Sequence, residues 1–486
     1  MDIPQGYKQT ELGIIPEDWE IVNLGSVAKI NGRIGFRGYT TADLVGVGQG
    51  AYTIGGKHIT NMVLDLHDAE YISWQKYYES PEIMVRKGDI VFAQRGTLGK
   101  SAFIVNDIGP ATINPSLVLI NKIKCDNEYL SYWLQCDKIV EYICSINSQT
   151  SIPMITQNQI EHIPVVLSRI KAEQQAIAEA LGDIDGLIAT LDKKIAKKRL
   201  IKQGAMSQLL TGKKRLPGFS DPWVEKKLGE IGYTYSGLTG KSKDDFGQGN
   251  AKYITFLNVL ANPILKENLF GSITIRENEQ QNKVQFGDLF FNTSSETPED
   301  VGTCAVLLSY HEELYLNSFC FGYRLTDDNV LGLYLAYYFR SRLGRQLMTS
   351  LAQGATRYNL SKELFNASRI ILPETKDEQI AIATILTDMD KEIDDLEAQR
   401  DKYRLLKSGM MQKLLMGQIR LTKPLTNVVP LVPGDSAVRE IPVDAHIWAG
   451  HIVNRLWQSK GWGRTKLQKS LHLVGCYAQL DLGEEY

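Results

Sequence analysis

Two long stretches of the chain carry hydrophobic residues at alternating intervals of four and three positions. Between residues 173 and 216 these positions are Ile177, Leu181, Ile184, Ile188, Leu191 and Ile195. Between residues 378 and 421 they are Ile382, Leu386, Met389, Ile393 and Leu396. Arg400 and Tyr403 follow, so the second stripe becomes more polar toward its end. The spacing is typical of a coiled-coil seam, and roughly forty helical residues at about 1.5 Å each predict two rods about 60 Å long.

The two stretches are copies of each other. Residues 173–216 align with residues 378–421 without a gap and share about twenty of forty-four positions. The similarity continues more weakly upstream at nearly the same offset, where Trp19 corresponds to Trp223 and Asn114 to Asn317. The sequence therefore predicts one unit that occurs twice, each unit being a lobe of roughly 150 residues followed by a long helix.

A long apolar stripe can pack on its own lobe or on a second helix. Because there are two nearly identical stripes, we expect the two helices to pair with each other inside one chain. An antiparallel pair would place the lobes at opposite ends and relate them by a pseudo-twofold axis. The segment TGKKRLPGFSDPW, which contains Gly212, is predicted to end the first helix and begin the second lobe.

The lobes themselves mix strand and helix signals. Short β-rich runs, such as DIVFA near residue 90 and DLFFN near residue 290, alternate with turn residues and one or two helices. The predicted fold class is α+β, with two mixed domains separated by two long helices that form an antiparallel intramolecular coiled coil. The predicted segments are lobe 1 (1–168), its helix (169–216), lobe 2 (217–373), its helix (374–421), and a linker with a helical extension (422–486).

Composition and charge exclude several classes of protein. Of the 486 residues 43% are hydrophobic and 23% are charged, which is typical of a globular chain. A formal net charge of −2 argues against binding nucleic acid by bulk attraction, so any DNA contact must come from local patches. The chain shows neither a signal-peptide pattern nor a membrane-spanning stretch, and its six cysteines have no zinc-site spacing. We therefore expect a cytoplasmic protein with no metal site.

Polar loops at matching positions of the two lobes carry the candidate functional residues. Reading a base edge requires side-chain donors and acceptors beside further donors that bind phosphate. The candidate DNA-binding residues are Arg33, Arg37, Arg95, Thr97, Lys100, Gln149, Gln157, Lys241, Lys243, Ser294, Gln353, Arg357, Tyr358 and Asn359. For any one of them an ordinary solvated turn is an equally good interpretation, and only the set favours DNA binding.

Three further motifs bear on other chemistry. The run RGTLGKS resembles the end of a phosphate-binding loop, but Gln94 stands where the first glycine is required, so a tight turn is the preferred interpretation. His446 and His451 are interpreted as helix surface, and neither a metal site nor a catalytic residue is predicted. A basic run is interpreted as the solvated flank of the coiled coil, with DNA-backbone contact as the alternative. It comprises Lys193, Lys194, Lys197, Lys198, Arg199 and Lys202.

Several motifs resemble those of the specificity subunits of type I restriction-modification enzymes. They are the lobe openings IPEDWEIVNLGSVAKI and DPWVEKKLGEIG, the element GDIVFAQRGTLGKSA and the repeated segment that ends in LLTGKKRL. The resemblance spans roughly residues 6–421. It implies that residues 12–168 and 220–373 are target recognition domains, each reading one half of a split target, and that the repeats are spacer helices.

The resemblance also implies partners. Double-stranded DNA, two methyltransferase subunits and restriction (motor-nuclease) subunits are expected to bind, and a membrane is not. S-adenosylmethionine, ATP and magnesium are then expected on the partner subunits, with no cofactor in this chain. The sequence contains no FxGxG-like cofactor loop paired with an NPPY-type motif and no complete phosphate-binding loop, which agrees with a non-catalytic subunit.

The segment beyond Leu421 departs from that family. A Pro- and Val-rich linker leads to GRTKLQKSLHLVGCYAQLDLG, which resembles the opening helices of a SocA-like, or Panacea, domain. His472 stands in place of the usual aromatic residue. We expect either a docking pair of helices or a truncated domain.

Two alternatives from other classes stay open. One is a two-lobed protein-binding scaffold that does not read DNA, and salt-dependent DNA binding would exclude it. The other is a DNA-modifying enzyme with unrecognised motifs, which activity of the isolated chain would reveal. Under the leading hypothesis the rods set the distance between two half-sites, so inserting or deleting a heptad in one repeat is expected to alter the preferred spacing.

Overall fold

The structure is a computed structural model that describes residues 3–60, 62–146 and 153–421. The chain separates into two compact units, Met1–Thr422 and Lys423–Tyr486, and every described residue belongs to the first. Gln149, the histidines near residue 450 and the predicted C-terminal extension lie outside the described residues.

Lobe 1 is built from short strands and short helices. Its strands are β1 (Tyr7–Thr10), β2 (Gly13–Pro16), β3 (Trp19–Asn23), β4 (Lys29–Gly32), β5 (Leu44–Val45), β6 (Gly50–Ile54), β7 (Ile59–Thr60), β8 (Val63–Leu64), β9 (Glu70–Ser73), β10 (Ile90–Ala93), β11 (Ser101–Phe103), β12 (Ala111–Ile113), β13 (Leu117–Asn121) and β14 (Pro164–Ser168). Its helices are α1 (Leu24–Val27), α2 (Trp74–Tyr78), α3 (Asn127–Trp133), α4 (Asp137–Ser145) and α5 (Gln157–Glu161). The long helix α6 (Lys171–Leu209) follows.

Lobe 2 has the same kind of elements. Its strands are β15 (Trp223–Lys227), β16 (Gly232–Ser236), β17 (Phe246–Ile254), β18 (Phe270–Ile273), β19 (Leu289–Asn292), β20 (Ser294–Ser295), β21 (Cys304–Val306), β22 (Leu314–Leu316), β23 (Cys320–Leu325), β24 (Ala352–Gln353), β25 (Tyr358–Leu360) and β26 (Arg369–Pro373). Its helices are α7 (Leu228–Ile231), α8 (Phe256–Ala261), α9 (Gly332–Arg340), α10 (Arg342–Leu351) and α11 (Lys362–Ala367). The second long helix is α12 (Lys376–Leu414).

The two lobes share one sheet topology. Lobe 1 contains a four-stranded sheet of order β11-β10-β13-β4, and lobe 2 contains its counterpart, β21-β19-β23-β16. A second sheet repeats in the same way, because β6 pairs with β12 in parallel and with β9 antiparallel, as β17 does with β22 and β18. The central strands β10 and β19 are buried along their whole length, which accounts for their apolar sequences, interrupted only by Asn292 at the end of β19. The internal repeat of the sequence is thus a repeat of fold.

The first and last strands of each lobe pair with each other. β3 pairs antiparallel with β14, and β15 pairs with β26 in the same manner. Each pair returns the chain to the place where the lobe began, immediately before a long helix. This closure sets both lobes on their helices in equivalent positions.

The two long helices pack against each other and run antiparallel, which confirms the predicted arrangement. Each has 39 residues, or about 58 Å at 1.5 Å per residue. Ion pairs join them with residue numbers rising on one helix as they fall on the other. These pairs include Lys407–Asp185 (2.8 Å), Arg400–Asp192 (3.5 Å), Lys198–Glu392 (2.6 Å) and Lys202–Asp390.

The predicted seam positions divide into a central and two outer groups. In the middle, Ile195, Ile393 and Leu396 form a cluster between the helices, with Leu191 packed against it. Toward lobe 2, Ile382 and Leu386 join the core of that lobe together with Leu209, the last residue of α6, and Leu210, which follows it. The remaining seam residues are buried (Ile177, Leu181, Ile184) or half-buried (Ile188, Met389). Packing on the lobe and pairing of the helices therefore both occur, at different points along the same stripe.

Two matching clasps close the ends of the helical pair. Arg420 binds the carboxylate of Glu173 with both Nε (2.7 Å) and Nη2 (3.1 Å), beside the Trp19 ring. Arg215 binds Glu378 in the same bidentate way, at 2.6 and 2.8 Å, beside Trp223. Both carboxylates are buried. The segment that follows each helix is thereby tied to the beginning of the other helix.

A second pair of matching contacts lies further along each helix, at Asp185 of α6 and Asp390 of α12. Tyr132 donates to Asp185 (2.8 Å), and Lys407 from the other helix binds the same carboxylate. Tyr337 donates to Asp390 (2.8 Å), which Lys202 binds. Each tyrosine belongs to a lobe, so these clusters join lobe, own helix and opposite helix. The pseudo-twofold symmetry extends to individual polar contacts.

Candidate nucleic-acid interface

The polar loop of lobe 1 that was predicted to bind DNA connects β10 to β11. We refer to residues 94–100 as the lobe-1 hairpin loop. Within the described ranges, the side chains of Arg95, Thr97 and Lys100 make no hydrogen bond or ion pair, and the first two are exposed. Gly96 and Gly99 hold positive φ angles of 80° and 76°, which glycine adopts without strain. The loop leads into a strand, whereas a phosphate-binding loop must lead into a helix, so the tight-turn interpretation fits this geometry.

The lobe-1 hairpin loop forms one wall of an open pocket of about 460 Å³. Side chains that line it on other walls include Tyr39, Lys57, His58, Glu70 and Asn114. Sequence reasoning did not include these residues among the candidates. Asn114 carried a usable signal, since it aligns with Asn317 across the repeat, whereas no sequence motif marked the others.

Hydrogen bonds hold the pocket wall rigid. The backbone N–H groups of Gln94 and Arg95 both donate to the carbonyl of Ser116, at 3.0 and 3.3 Å. Ser116 in turn donates to Asn114 Oδ1 through its N–H (2.9 Å) and its hydroxyl (2.6 Å). On the opposite wall, His58 Nδ1 accepts from the N–H of Gly55 (2.9 Å), and burial lowers the pKa of His58, which keeps this ring neutral near pH 7.

Lobe 2 presents a different loop at the same place. We refer to residues 293–303, which connect β19 to β21, as the lobe-2 hairpin loop. Its strand β20 pairs with β25, and β25 pairs with β24, so Ser294, Gln353 and Asn359 meet in one small sheet. Gln353, Arg357 and Asn359 are exposed and Tyr358 is half-buried. The structure thus brings most of the lobe-2 candidates onto one surface.

Three of the candidate DNA-binding residues are turned into the protein, and we remove them from the set of direct contacts. The guanidinium of Arg33 donates to Thr112 Oγ1 (2.9 Å) and to the carbonyl of Ile113 (3.1 Å). The Lys241 side chain is 2% exposed and binds Glu279. Ser294 is buried within its small sheet. Arg33 and Lys241 have partners that the sequence does not reveal, and Ser294 is enclosed by the pairing of its strand with β25.

The other candidates remain at the surface to different degrees. Arg37 is half-buried and lies 3.5 Å from Glu82. Gln157 and Lys243 are exposed. In the basic run on α6, Lys198, Arg199 and Lys202 form ion pairs with carboxylates of α12, so these three belong to the flank of the coiled coil. The assignment of the surface candidates to DNA stays a prediction.

Two further properties bear on the function. Among the residues that the structure describes, no cluster of three or more His, Cys, Asp or Glu side chains is placed to hold a metal ion. Across the same residues, no helix combines the length and the apolar character needed to cross a bilayer.

The chain has two lobes of one fold, and each lobe carries a different polar loop. A helical pair joins the lobes and spaces them. This arrangement defines a bipartite recognition protein. The family model described as type I restriction modification DNA specificity domain matches the chain twice, over residues 16–198 and 220–403. The chain therefore belongs to that family, and its two matches correspond to the two structural repeats.

Relatives and solved structures agree with this assignment. The chain is 25% identical to the putative type I restriction enzyme MjaX specificity subunit of Methanocaldococcus jannaschii, over 86% of this chain and 97% of the relative. It is 23% identical to the MjaVIII specificity subunit of the same organism, over 86% and 96%. The fold resembles the type I S subunit of M. genitalium with a TM-score of 0.51 at 14% identity, covering 85% of this chain and 98% of the other. A chain from a structure of type I R-M complex assembly gives 0.53 at 16% identity, covering 83% and 99%.

Proposed function

We propose that this chain is the subunit that gives a type I restriction-modification enzyme its DNA sequence specificity, by reading a target in two separated halves. Lobe 1 reads one half-site and lobe 2 reads the other. One observation carries this proposal: the same fold occurs twice in the chain, and its two copies have unlike surface loops. Two copies of one scaffold that carry different loops are suited to reading different sequences. The scaffold positions each lobe on the DNA, whereas the loop side chains contact the bases.

The proposal includes the partners of the chain. Two methyltransferase subunits bind the helical pair and its flanking lobe surfaces, and restriction subunits join the assembly. The pseudo-twofold repeat supports two methyltransferase copies, because each copy would meet an equivalent surface. S-adenosylmethionine, ATP and magnesium reside on those subunits, and this chain contributes no catalytic group. Its location in the cytoplasm stays a prediction.

Exchange of one lobe tests this function. Residues 12–168 are replaced by the corresponding lobe of a relative with a different target, and the full complex is expressed in cells. Mapping of modified adenines is expected to show a new first half-site with an unchanged second half-site and an unchanged gap. A change in both halves would contradict the division of labour between the lobes.

A separate measurement tests whether DNA binding is direct. The logarithm of the binding constant of the complete complex for its mapped target is expected to fall linearly with the logarithm of the salt concentration. Each phosphate contact is expected to lower log K by about 0.9 for every tenfold rise in salt. The isolated chain, incubated with S-adenosylmethionine or magnesium, is expected to leave DNA unchanged. Methylation or cleavage by the isolated chain would instead identify it as an enzyme.

A further inference from the structure

Asn114 in the lobe-1 pocket presents a hydrogen-bond donor that nothing in the described protein uses. Its Oδ1 accepts both bonds from Ser116, at 2.9 and 2.6 Å, which assigns the orientation of the amide. Its Nδ2 therefore faces Gly55, where a Cβ atom would lie only 2.6 Å away. Any residue but glycine at position 55 would push against this amino group, so Gly55 leaves room for the donor at the edge of the pocket that both residues line.

The matching asparagine of lobe 2 is used differently. Asn317 Oδ1 accepts from the N–H of Phe319 (2.9 Å), in the same kind of turn. Its Nδ2, however, donates to the carbonyl of Ile254 (3.0 Å) and Asn317 is buried. The position that corresponds to Gly55 is Thr255, whose hydroxyl donates to the carbonyl of Leu269 (3.0 Å). The free donor is thus a feature of lobe 1 and is not required by the shared fold.

The groups that surround this donor are mainly donors as well. Arg95 and Lys100 carry hydrogen-bond donors and no acceptors, and neither is bonded within the described part of the chain. Lys57 is held by Asp68 at 3.3 Å, and Glu70 is the single acidic side chain among the lining residues. The donors that line the pocket therefore suit a ligand that presents hydrogen-bond acceptors along one edge.

Guanine is the base that offers such an edge. In the major groove it presents two acceptors, N7 and O6, whereas adenine pairs an acceptor with a donor, cytosine presents a donor and thymine a single acceptor beside a methyl group. Arginine with guanine is also the commonest specific contact between protein and DNA. The backbone bond from Arg95 to Ser116 (3.3 Å) ties the loop that carries Arg95 to the turn that carries Asn114, and both residues line the same pocket, which suits two donors to one base.

We propose that the lobe-1 pocket is where this chain reads a guanine in its first half-site, with Arg95 and Asn114 as specificity-determining residues. The proposal rests on the DNA-reading function proposed above. The competing occupant with the same acceptor chemistry is a DNA phosphate, which would contribute affinity without selecting a base.

Two variants separate these occupants. Arg95→Gln removes an exposed cation that bonds to none of the described residues, so the fold is expected to be unaffected. Asn114→Asp keeps the acceptor that Ser116 needs and replaces the free amino donor by a carboxylate oxygen. Each is made in the full complex, and modified adenines are mapped. Lys87→Gln, which removes an exposed lysine of lobe 1 that is not a candidate DNA-binding residue, is the control and is expected to leave the first half-site unchanged.

The expected result is a guanine at a constant position in the first half-site of the wild-type complex. Both variants are expected to lower the preference for guanine over the other bases at that position by roughly 5- to 150-fold. Every other position of the target is expected to stay unchanged. A first half-site without a constant guanine would overturn the proposal. So would variants that weaken modification equally at all sequences, because that is the behaviour of a phosphate contact.

A chemical probe gives an independent readout. Binding of the reconstituted complex is measured on duplexes in which that guanine is replaced by 7-deazaguanine, which lacks the N7 acceptor. The wild type is expected to lose about 5-fold or more in affinity, and Arg95→Gln or Asn114→Asp to lose less, because one partner of the contact is already missing. Equal losses in wild type and variants would overturn the proposal. Failure of the wild-type complex to modify any defined sequence would instead refute the DNA-reading function itself.

Discussion

At the scale of single residues, the most consequential groups are the two buried carboxylates at the ends of the helical pair. Glu173 is 0% exposed in its side chain and receives Arg420, Trp19 and Ser168 as donors. A buried charge is tolerated only while its partners are in place. The junction between α6 and lobe 1 therefore depends on Arg420, which belongs to the segment that follows α12.

Removing that arginine is expected to destabilise the protein strongly. Arg420→Met leaves Glu173 buried without its cation, which is expected to lower the free energy of unfolding by about 3 kcal/mol. Denaturant titration measures this. The control is Arg169→Met, which removes an exposed pair with Glu20 (3.2 Å) and is expected to cost less than about 1 kcal/mol. Equal losses in the two variants would show that burial of Glu173 has no energetic consequence.

The same clasp predicts a dependence on pH. Burial raises the pKa of Glu173, but hydrogen bonds from Arg420, Ser168 and Trp19 outweigh it, so the pKa falls below its usual value of 4.5. A carboxyl whose pKa is lowered by folding stabilises the protein above its unfolded pKa, and this contribution is lost as the pH falls through the folded pKa. The difference in melting temperature between wild type and Arg420→Met is thus expected to be full at pH 7 and to shrink below about pH 4.5. A difference that stays constant down to pH 3 would contradict this account.

Residue type alone distinguished poorly between surface donors and internal ones. Arg33 and Arg95 both follow strands and stand beside glycine, yet Arg33 bonds to residues about eighty positions away in sequence, whereas the Arg95 side chain has no bond to any residue that the structure describes. Lys241 is likewise satisfied by Glu279. Partners brought by tertiary structure decide whether a polar side chain is available, and a local pattern of loop residues contains no information about them.

At the scale of elements, the centre of the helical pair rests on few residues. Ile195, Ile393 and Leu396 form a small cluster there, while the outer parts of each helix draw on the cores of the lobes. The heptad spacing predicted the helices and their pairing, because a four-three pattern over many turns has few other solutions. It could not predict where along the stripe the lobe replaces the partner helix, since both surfaces are equally apolar.

A substitution in this central cluster measures its contribution. Ile393→Ala is expected to destabilise the protein by about 2–4 kcal/mol, because it removes buried methyl groups and leaves a cavity. Leu405→Ala on the same helix is the control, since Leu405 is 77% exposed and its loss is expected to change stability by less than about 0.5 kcal/mol. Both are compared by denaturant unfolding. If the two variants behaved alike, the central contact between the helices would not contribute to stability.

At the scale of the whole molecule, the two clasps and the ion-pair ladder constrain how the lobes are spaced. Beside lobe 2, the end of α6 with the segment after it is joined to the beginning of α12 through Arg215–Glu378 (2.6 Å) and Lys202–Asp390. Beside lobe 1, the beginning of α6 is joined to the end of α12 and the segment after it through Arg420–Glu173 (2.7 Å) and Lys407–Asp185 (2.8 Å). A heptad removed from one helix alone would therefore set the contacts beside one lobe about 10 Å out of register with those beside the other, so this change is expected to disrupt the helical pair and not, as the sequence suggested, to alter the spacing.

A matched deletion keeps the ion pairs at both ends of the helical pair and shortens the distance between the lobes, at the cost of Leu191, Ile195 and Leu396 from the central cluster. Residues 190–196 and 395–401 lie opposite each other at the centre, between the Lys202–Asp390 and Lys407–Asp185 pairs. Removing both heptads takes about 10.5 Å from each helix with little rotation, which corresponds to about three base pairs at 3.4 Å each. Mapping of modified adenines is expected to show both half-sites unchanged and the gap between them about three base pairs shorter. Deleting either heptad alone is expected to destabilise the chain and abolish modification, and an unchanged gap in the double deletion would show that the helices do not set the spacing.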